Sequence, residues 1–254
     1  MRHEAGERTT QGVVPEGITA CLFDLDGVLT STAAEHMAAW KQTFDAFLRA
    51  REGEEFQPFT ETDYLRYVDG RPRADGVRQF LASRGITLPA GDRDDPPTVD
   101  TVSGLGNRKN DLLLKIIQER GVQPYPGSVR YLEMVTGAGL PVGVVTSSEN
   151  GASVLDAANL SRFVTARIDG QVINRERLRG KPAPDSFLAG AKALGVDPAQ
   201  AAVYEDALAG VQAGRAGGFG WVVGVDRTHQ ADELRAHGAD IVVSDLADIL
   251  STEL

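Results

Sequence analysis

The amino-acid sequence predicts an α/β protein with a parallel sheet and an all-helical segment inserted after its first strand. Three observations carry this expectation. Ala20-Cys21-Leu22-Phe23 is an unbroken apolar run ending in "DLDG", which suits an interior strand covered on both faces, where alternation is lost. Beyond Gly121, strand-like and helix-like patterns alternate, as in successive βαβ units. Between these regions, from about Thr32 to Gln123, that rhythm breaks and the patterns look helical.

Taken in order, the first strand spans Ile18 to Leu25 and leaves Asp24 and Asp26 at its carboxyl end, the edge at which open α/β sheets place their ligands. The insertion opens with Thr32 and Glu35 at capping-box spacing, followed by Met37, Trp40, Phe44, Phe47 and Leu48 on one helical face. "TDYLRYV", "ADGVRQFLASRG" and "NRKNDLLLKIIQERG" continue it as helices. "PAGDRDDPPTVDTVSG" interrupts them as an exposed loop, because proline, glycine and aspartate crowd there. Next come a strand in "LPVGVVTSS", a short helix in "NGASVLDAANL" and a helix in "DSFLAGAKALG" closed by Gly195. "AAVYED" follows as a strand, "ALAGVQAGRAGG" as a helix, and "GWVVGVD" and "ADIVVSD" as two further strands. No internal repeat is visible.

The chain has 254 residues and 42% hydrophobic content, enough to bury a substantial core. Its formal net charge of -10 argues against nucleic-acid or anionic-membrane binding, either of which needs a basic footprint. An anionic substrate must then be held by a few placed cations. Cys21 is the only cysteine, which excludes an intrachain disulfide and suits a reducing compartment. Its strand context favours inert packing. Residues 1–16 lack the apolar stretch of a signal peptide and read as a loose tail, and no later run approaches the roughly 18 apolar residues of a membrane span. A cytoplasmic protein is the expectation.

"DLDG" alone fits an ordinary acidic turn. A calcium loop is the sharper rival, since Asp24, Asp26 and Glu35 fall at the right spacing. That reading fails because Val28 and Leu29 occupy the ligand and glycine positions. Other strand ends add to the pattern. Thr146 and Ser147 offer hydroxyls and backbone N–H groups that suit phosphate oxygens, Lys181 precedes a proline, and Glu205 and Asp206 close another strand. Taken singly, each is an ordinary turn, cap or solvated charge. Together, Asp24, Asp26, Glu205 and Asp206 would repel one another by about 4 kcal/mol per pair at about 4 Å and an effective dielectric near 20. They can share a site only with cations. A hard, oxygen-seeking Mg²⁺ and the Lys181 ammonium would supply the missing charge.

"FDLDGVLT", "VVTSSENG", "GKPAPD" and "YEDALAG", in this order and with a helical insertion after the first, resemble the motifs of the haloacid dehalogenase superfamily of phosphotransferases. The resemblance covers nearly the whole chain after the tail. Within that superfamily, "FDLDGVLTSTAAEHMAAWK" is most similar to the β-phosphoglucomutase-like subgroup. It implies a Rossmann-like core (residues 17–31 and 124–254) with an inserted all-helical cap (residues 32–123). It also implies Asp24 as the nucleophile that becomes an aspartyl-phosphate and Asp26 as general acid and base. Mg²⁺ would be held by Asp24, the backbone carbonyl of Asp26, Glu205 and Asp206. Thr146, Ser147 and Lys181 would hold the transferring phosphoryl, with Ser148 and Asn150 of the same loop beside the substrate. Thr32 and His36 match a pair that couples cap closure to Asp26, Arg73 (with Gly70, in "DGRPRADG") matches a cap arginine for a distal phosphate, and Lys109 (in "NRKND") matches a cap lysine that reaches substrate. The expected partner is a small sugar phosphate bound by a monomer, and glucose 1,6-bisphosphate is the implied phosphodonor of a mutase.

One departure stands out. The subgroup prefers lysine just before the asparagine of the "VVTSSENG" loop, and this chain has Glu149 there. A carboxylate should weaken the hold on a second phosphate, so a sugar-phosphate phosphatase that passes the phosphoryl to water is the alternative to a mutase converting β-glucose 1-phosphate to glucose 6-phosphate. A non-catalytic sensor derived from the enzyme would typically have lost the nucleophile or a metal ligand, and none is missing.

Overall fold

The computed structural model describes residues 14–251 of the chain; the predicted tail falls outside the described residues up to position 13. Val14, placed in the tail by the sequence, is instead buried against the core.

The first strand, β1 (Ala20–Phe23), is buried along its whole length. It is shorter than the predicted Ile18 to Leu25, because after Asp24 donates its N–H to the Tyr204 carbonyl the chain turns away from the sheet. The following elements are α1 (Ala33–Glu52), the single turn α2 (Glu61–Asp63), α3 (Arg73–Ser83), α4 (Val102–Arg120) and α5 (Pro126–Gly137). Then come β2 (Val142–Val145), α6 (Gly151–Ala157), β3 (Ala166–Ile168), α7 (Gly170–Glu176) and α8 (Asp185–Leu194). The chain finishes with β4 (Ala201–Glu205), α9 (Leu208–Ala216), β5 (Trp221–Val225), α10 (Ala231–Ala236) and β6 (Ile241–Val243). All pairings are parallel and the strand order is β3-β2-β1-β4-β5-β6.

Strand geometry sends alternate residues of β1 into two different cores. Cys21 and Phe23 join Tyr131, Tyr204 and Trp221, with the Phe23 and Tyr204 rings stacked at 4.3 Å. Ala20 and Leu22 join Phe187, Val203 and Val222 under α8 and α9. The Cys21 thiol is pushed up to about 12 by burial, so it stays an inert thiol, as its strand context suggested. Gly195 closes α8 in the left-handed conformation. The edge strand β3, α7 and α10 were not anticipated. Each is short, and its apolar residues do not fill a full period.

Residues 33–120 build a third apolar cluster, apart from both faces of the sheet. Trp40, Phe44, Phe47 and Leu48, the predicted face of α1, pack there with Phe59 and Phe80. "TDYLRYV" differs from the expected helix. After α2 the chain widens into a π-helical turn over Tyr64–Val68, in which the Asp69 N–H reaches the Tyr64 carbonyl. Such wide turns often mark functional positions, and this one sets Asp69 beside the site described next. Among the described residues no helix is long and apolar enough to cross a membrane.

Candidate active site

With this strand order the connections leave β1 and β4 in opposite directions, and the crevice beyond their carboxyl ends is where such sheets bind ligands. Asp24 follows β1, Glu205 and Asp206 end β4, and Thr146 follows β2, so topology alone brings three separate sequence motifs to one edge. A cavity of about 420 Å³ opens there, a size that suits a small ligand. Its walls come from the sheet edge and from the helical insertion, and include Asp24, Asp26, Thr146, Glu205 and Asp206 on one side and Trp40, Tyr64, Arg73 and Lys109 on the other.

Asp24 is buried, and its Oδ1 lies 2.5 Å from Lys181 Nζ. The same ammonium is 2.7 Å from Glu205 Oε1 and donates to the Val145 carbonyl. Burial pushes the Lys181 pKa down, but Asp24 and Glu205 outweigh it and hold the ammonium charged. Glu205 accepts the Ala207 N–H with its second oxygen. Asp206 is buried and its carboxyl stands well above the ordinary range, first through burial and then through repulsion by Asp69, Glu205 and Asp24. Gly27 is required for this packing: its φ is +98°, and a Cβ there would stand 1.8 Å from Asp206 Oδ2.

The predicted capping box at Thr32 is absent. Thr32 occupies the N-cap position of α1 without a side-chain cap bond, because its hydroxyl donates instead to Asp26 Oδ1. Thr146 donates to Asp26 Oδ2 at 3.3 Å. His36 is largely buried, with Nε2 3.6 Å from Asp26 Oδ1 and Nδ1 3.1 Å from Lys109 Nζ. Burial and the neighbouring Lys109 lower the His36 pKa to about 4, so the ring is neutral near pH 7. A neutral ring accepting from the Lys109 ammonium at Nδ1 carries its proton on Nε2, aimed at Asp26. Burial lowers Lys109 to about 7, against the pull of Asp26 and with a push from Arg73.

The remaining predicted residues also line the cavity, but several are engaged with one another. Ser147 Oγ donates to the Gly70 carbonyl at 2.8 Å, and Asn150 Nδ2 donates to Asn110 Oδ1 at 3.0 Å. Both bonds tie the loop after β2 to the helical insertion. Ser148 Oγ accepts the Asn150 N–H and so shapes its own turn. Three residues separate Ser147 from α6, so Thr146 and Ser147 lie in the loop before that helix and not at its first turn. Arg73 pairs with Glu149 at 2.7 Å. Thr32 and Lys181 stand behind the wall, each one hydrogen bond from an aspartate that lines it.

Residues 18–218 match the family model of haloacid dehalogenase-like hydrolases. The chain belongs to that family. β-Phosphoglucomutase of Mycobacterium bovis is 57% identical to this haloacid dehalogenase-like enzyme over 244 residues, 93% of each chain. The validoxylamine A 7'-phosphate phosphatase of Streptomyces hygroscopicus subsp. limoneus is 27% identical over 239 residues, 90% of this chain and 94% of the phosphatase. Among solved structures, β-phosphoglucomutase of Clostridium difficile shares the fold with a TM-score of 0.72 and 23% identity, over 91% of this chain and 92% of that one.

Sequence reasoning missed Asp69 in this haloacid dehalogenase-like enzyme. Its carboxyl is raised to about 7 by burial and by Glu205, while bonds from the Tyr64 hydroxyl and the Gly70 N–H oppose the shift. The signal was present in "VDGRPRADG", but only the wide turn before it shows that Asp69 joins the carboxylates. With Asp24, Asp26, Glu205 and Asp206 it makes five acidic groups in this region, two of which, Asp24 and Glu205, pair with the fully buried Lys181. Among the described residues no three such groups form a ready cage, since Asp24 and Glu205 turn towards Lys181. The donor set still fits Mg²⁺, which is usually held by one or two carboxylates with the rest of its shell from water and phosphate oxygens.

Proposed function

We propose that this enzyme is a Mg²⁺-dependent β-phosphoglucomutase that interconverts β-glucose 1-phosphate and glucose 6-phosphate through glucose 1,6-bisphosphate. One observation carries the reading: a pair of aspartates at the sheet's switch point, Asp24 buried and Asp26 partly buried, faces a cleft whose opposite wall supplies Arg73 and Lys109. A bisphosphate needs cations at both ends, and this cleft has them. The proposed cap, residues 32–123, is joined to the core through Ser147–Gly70, Asn150–Asn110 and Arg73–Glu149. Closure of that kind keeps water from an acyl phosphate. The 57% identity to a β-phosphoglucomutase over 93% of the chain supports the same reading over the phosphatase alternative.

In this reading, an Asp24 carboxylate oxygen attacks phosphorus and the bond from phosphorus to the sugar oxygen breaks. Asp26, held by Thr32 and Thr146, delivers a proton to the leaving oxygen and later removes one from the sugar hydroxyl that attacks the aspartyl-phosphate. Lys181 keeps its charge beside Asp24 and offsets repulsion between carboxylate and phosphate. Asp24, the Asp26 backbone carbonyl, Glu205 and Asp206 would hold Mg²⁺, which when bound polarises the phosphoryl group and cancels charge. A cleft assembled within one chain supports a monomer whose partner is a small sugar phosphate, and the cytoplasm is its proposed location.

Phosphorus NMR tests the reading directly. With Mg²⁺, β-glucose 1-phosphate and a trace of glucose 1,6-bisphosphate, glucose 6-phosphate should accumulate. Accumulation of inorganic phosphate instead would make the enzyme a phosphatase.

A further inference from the structure

Glu149, the residue that departs from the subgroup pattern, is the most heavily engaged carboxylate at the cap–core boundary. Its Oε2 takes the Arg73 guanidinium at 2.7 Å, while Oε1 takes Asn174 Nδ2 at 2.7 Å and Arg93 Nη2 at 3.4 Å. Its backbone carbonyl accepts from Gln171 Nε2 at 2.9 Å. The first residue of α7 is glycine where this side chain passes: a Cβ on Gly170 would lie 2.9 Å from Glu149 Cγ and 2.8 Å from the Ser147 carbonyl. One carboxylate thus gathers donors from α3, from the loop of residues 84–101 and from α7. All four side chains line the cavity. The Arg73–Glu149 pair is only 22% exposed on each side, so solvent screens it weakly.

A carboxylate and a phosphate ask for the same thing from arginine, namely N–H donors aimed at two oxygens. We propose that Glu149 is an internal competitor for the cap's anion clamp, a specificity-determining residue that yields Arg73, Arg93 and Asn174 to the far phosphate of a bisphosphate and takes them back when that phosphate leaves. This rests on the mutase reading above. The device answers a need of that reaction: the bisphosphate must be let go and turned end for end before its second phosphate faces Asp24, so too firm a grip stalls turnover. Glu149 weakens the grip at the end where turning begins. Arg93, from the loop that lengthens the cap, adds a cation beside Arg73 and keeps the clamp positive while Glu149 is displaced.

Calorimetric titration with glucose 1,6-bisphosphate, together with steady-state kinetics, tests the proposal. Glu149→Gln keeps the Asn174 contact and loses the charge, so it should bind glucose 1,6-bisphosphate about three- to tenfold more tightly, with KM for the bisphosphate and kcat for mutase turnover both lowered. In an Arg73→Ala, Arg93→Ala background the same change should bring no gain, because the competition runs through these two guanidinium groups. Glu149→Ala serves as a second probe of the lost charge, and melting temperatures accompany every titration. Unchanged or weaker bisphosphate binding in both Glu149 variants overturns the competitor, as does a gain that persists without Arg73 and Arg93. Weaker binding with a large fall in melting temperature would make Glu149 a structural tether, which also overturns it. Wild-type protein that binds no bisphosphate removes the mutase reading itself, whereas wild-type binding without the Glu149→Gln gain removes only the competitor.

Discussion

Lys181→Met isolates the charge balance on which the site depends. The Lys181 side chain is fully buried, with Asp24 2.5 Å away on one side and Glu205 2.7 Å away on the other. Methionine is one heavy atom shorter but unbranched and apolar, and it suits the neighbourhood of the Phe187 ring, over which the ammonium now sits at 4.8 Å. The substitution therefore leaves shape nearly constant and strands two buried carboxylates. Breaking a buried pair from one side costs about 3–5 kcal/mol. In a domain of this size about 1 kcal/mol moves the melting temperature by roughly 2–4 °C, so a fall of roughly 6–20 °C at neutral pH is expected. The pH dependence gives the sharper signature. Burial already raises the Asp24 carboxyl well above its ordinary value of 3.8, and Lys181 is the main influence holding it down. A carboxyl raised in the folded state keeps a proton that the unfolded chain has released, so stability falls as pH climbs from near 4 through the folded-state value. Without Lys181 that fall should steepen, and acidification should rescue the variant relative to wild type. Scanning fluorimetry from about pH 5 to about pH 8 in chelator measures both effects. A variant that melts within about 2 °C of wild type at every pH would refute the buried-charge argument, given the ledger above.

Asp24→Asn should lower turnover by several orders of magnitude while leaving the chain folded, because an amide forms no acyl phosphate and Lys181 keeps Glu205 as its partner; mass spectrometry excludes deamidation, and near-normal turnover would remove the covalent mechanism. Thr32→Val deletes the hydroxyl that donates to Asp26 and should cost about tenfold or more in kcat, in the range of a hydrogen bond to a charged group; an unchanged kcat would leave Thr32 a packing residue. Lys109 loses its proton above about 7 in the folded chain, so kcat/KM for β-glucose 1-phosphate should fall as pH rises past that value, and Lys109→Arg should move the fall upward because arginine keeps its charge. Superimposable pH profiles would show that the charge on Lys109 is unused. Exhaustive chelation should abolish phosphoryl transfer, with Mg²⁺ restoring it and Ca²⁺ failing to, since the larger ion coordinates more loosely; full activity in chelator would contradict the five-carboxylate argument.

The parallel sheet, the helical insertion and the acidic strand ends were legible in the sequence because each is written in local terms. A run of four apolar residues buried on both faces can hardly be anything but an interior strand, and "DLDG" and "YED" follow such runs directly. The helix face of α1 was equally plain from its spacing. What the chain order could not express is which acids meet. Only the β1–β4 pairing sets Asp24 beside Glu205, and only the insertion folding back over the sheet edge puts Lys109 against His36. Thr32 shows the limit well: its spacing to Glu35 is that of a helix cap, but Asp26 offers its hydroxyl a charged partner, and a charge-assisted bond outweighs a cap. Asp69, visible as an acid in "VDGRPRADG", went unassigned for a related reason, since a wide turn carries it to the carboxylates. Glu149 could be seen in the sequence as a departure, yet its partners Arg73, Arg93 and Asn174 lie 76, 56 and 25 residues away. A charge can be read from the chain; the charges it faces are chosen by the fold, because Coulomb energy depends on distance in space and on the burial that only tertiary packing creates.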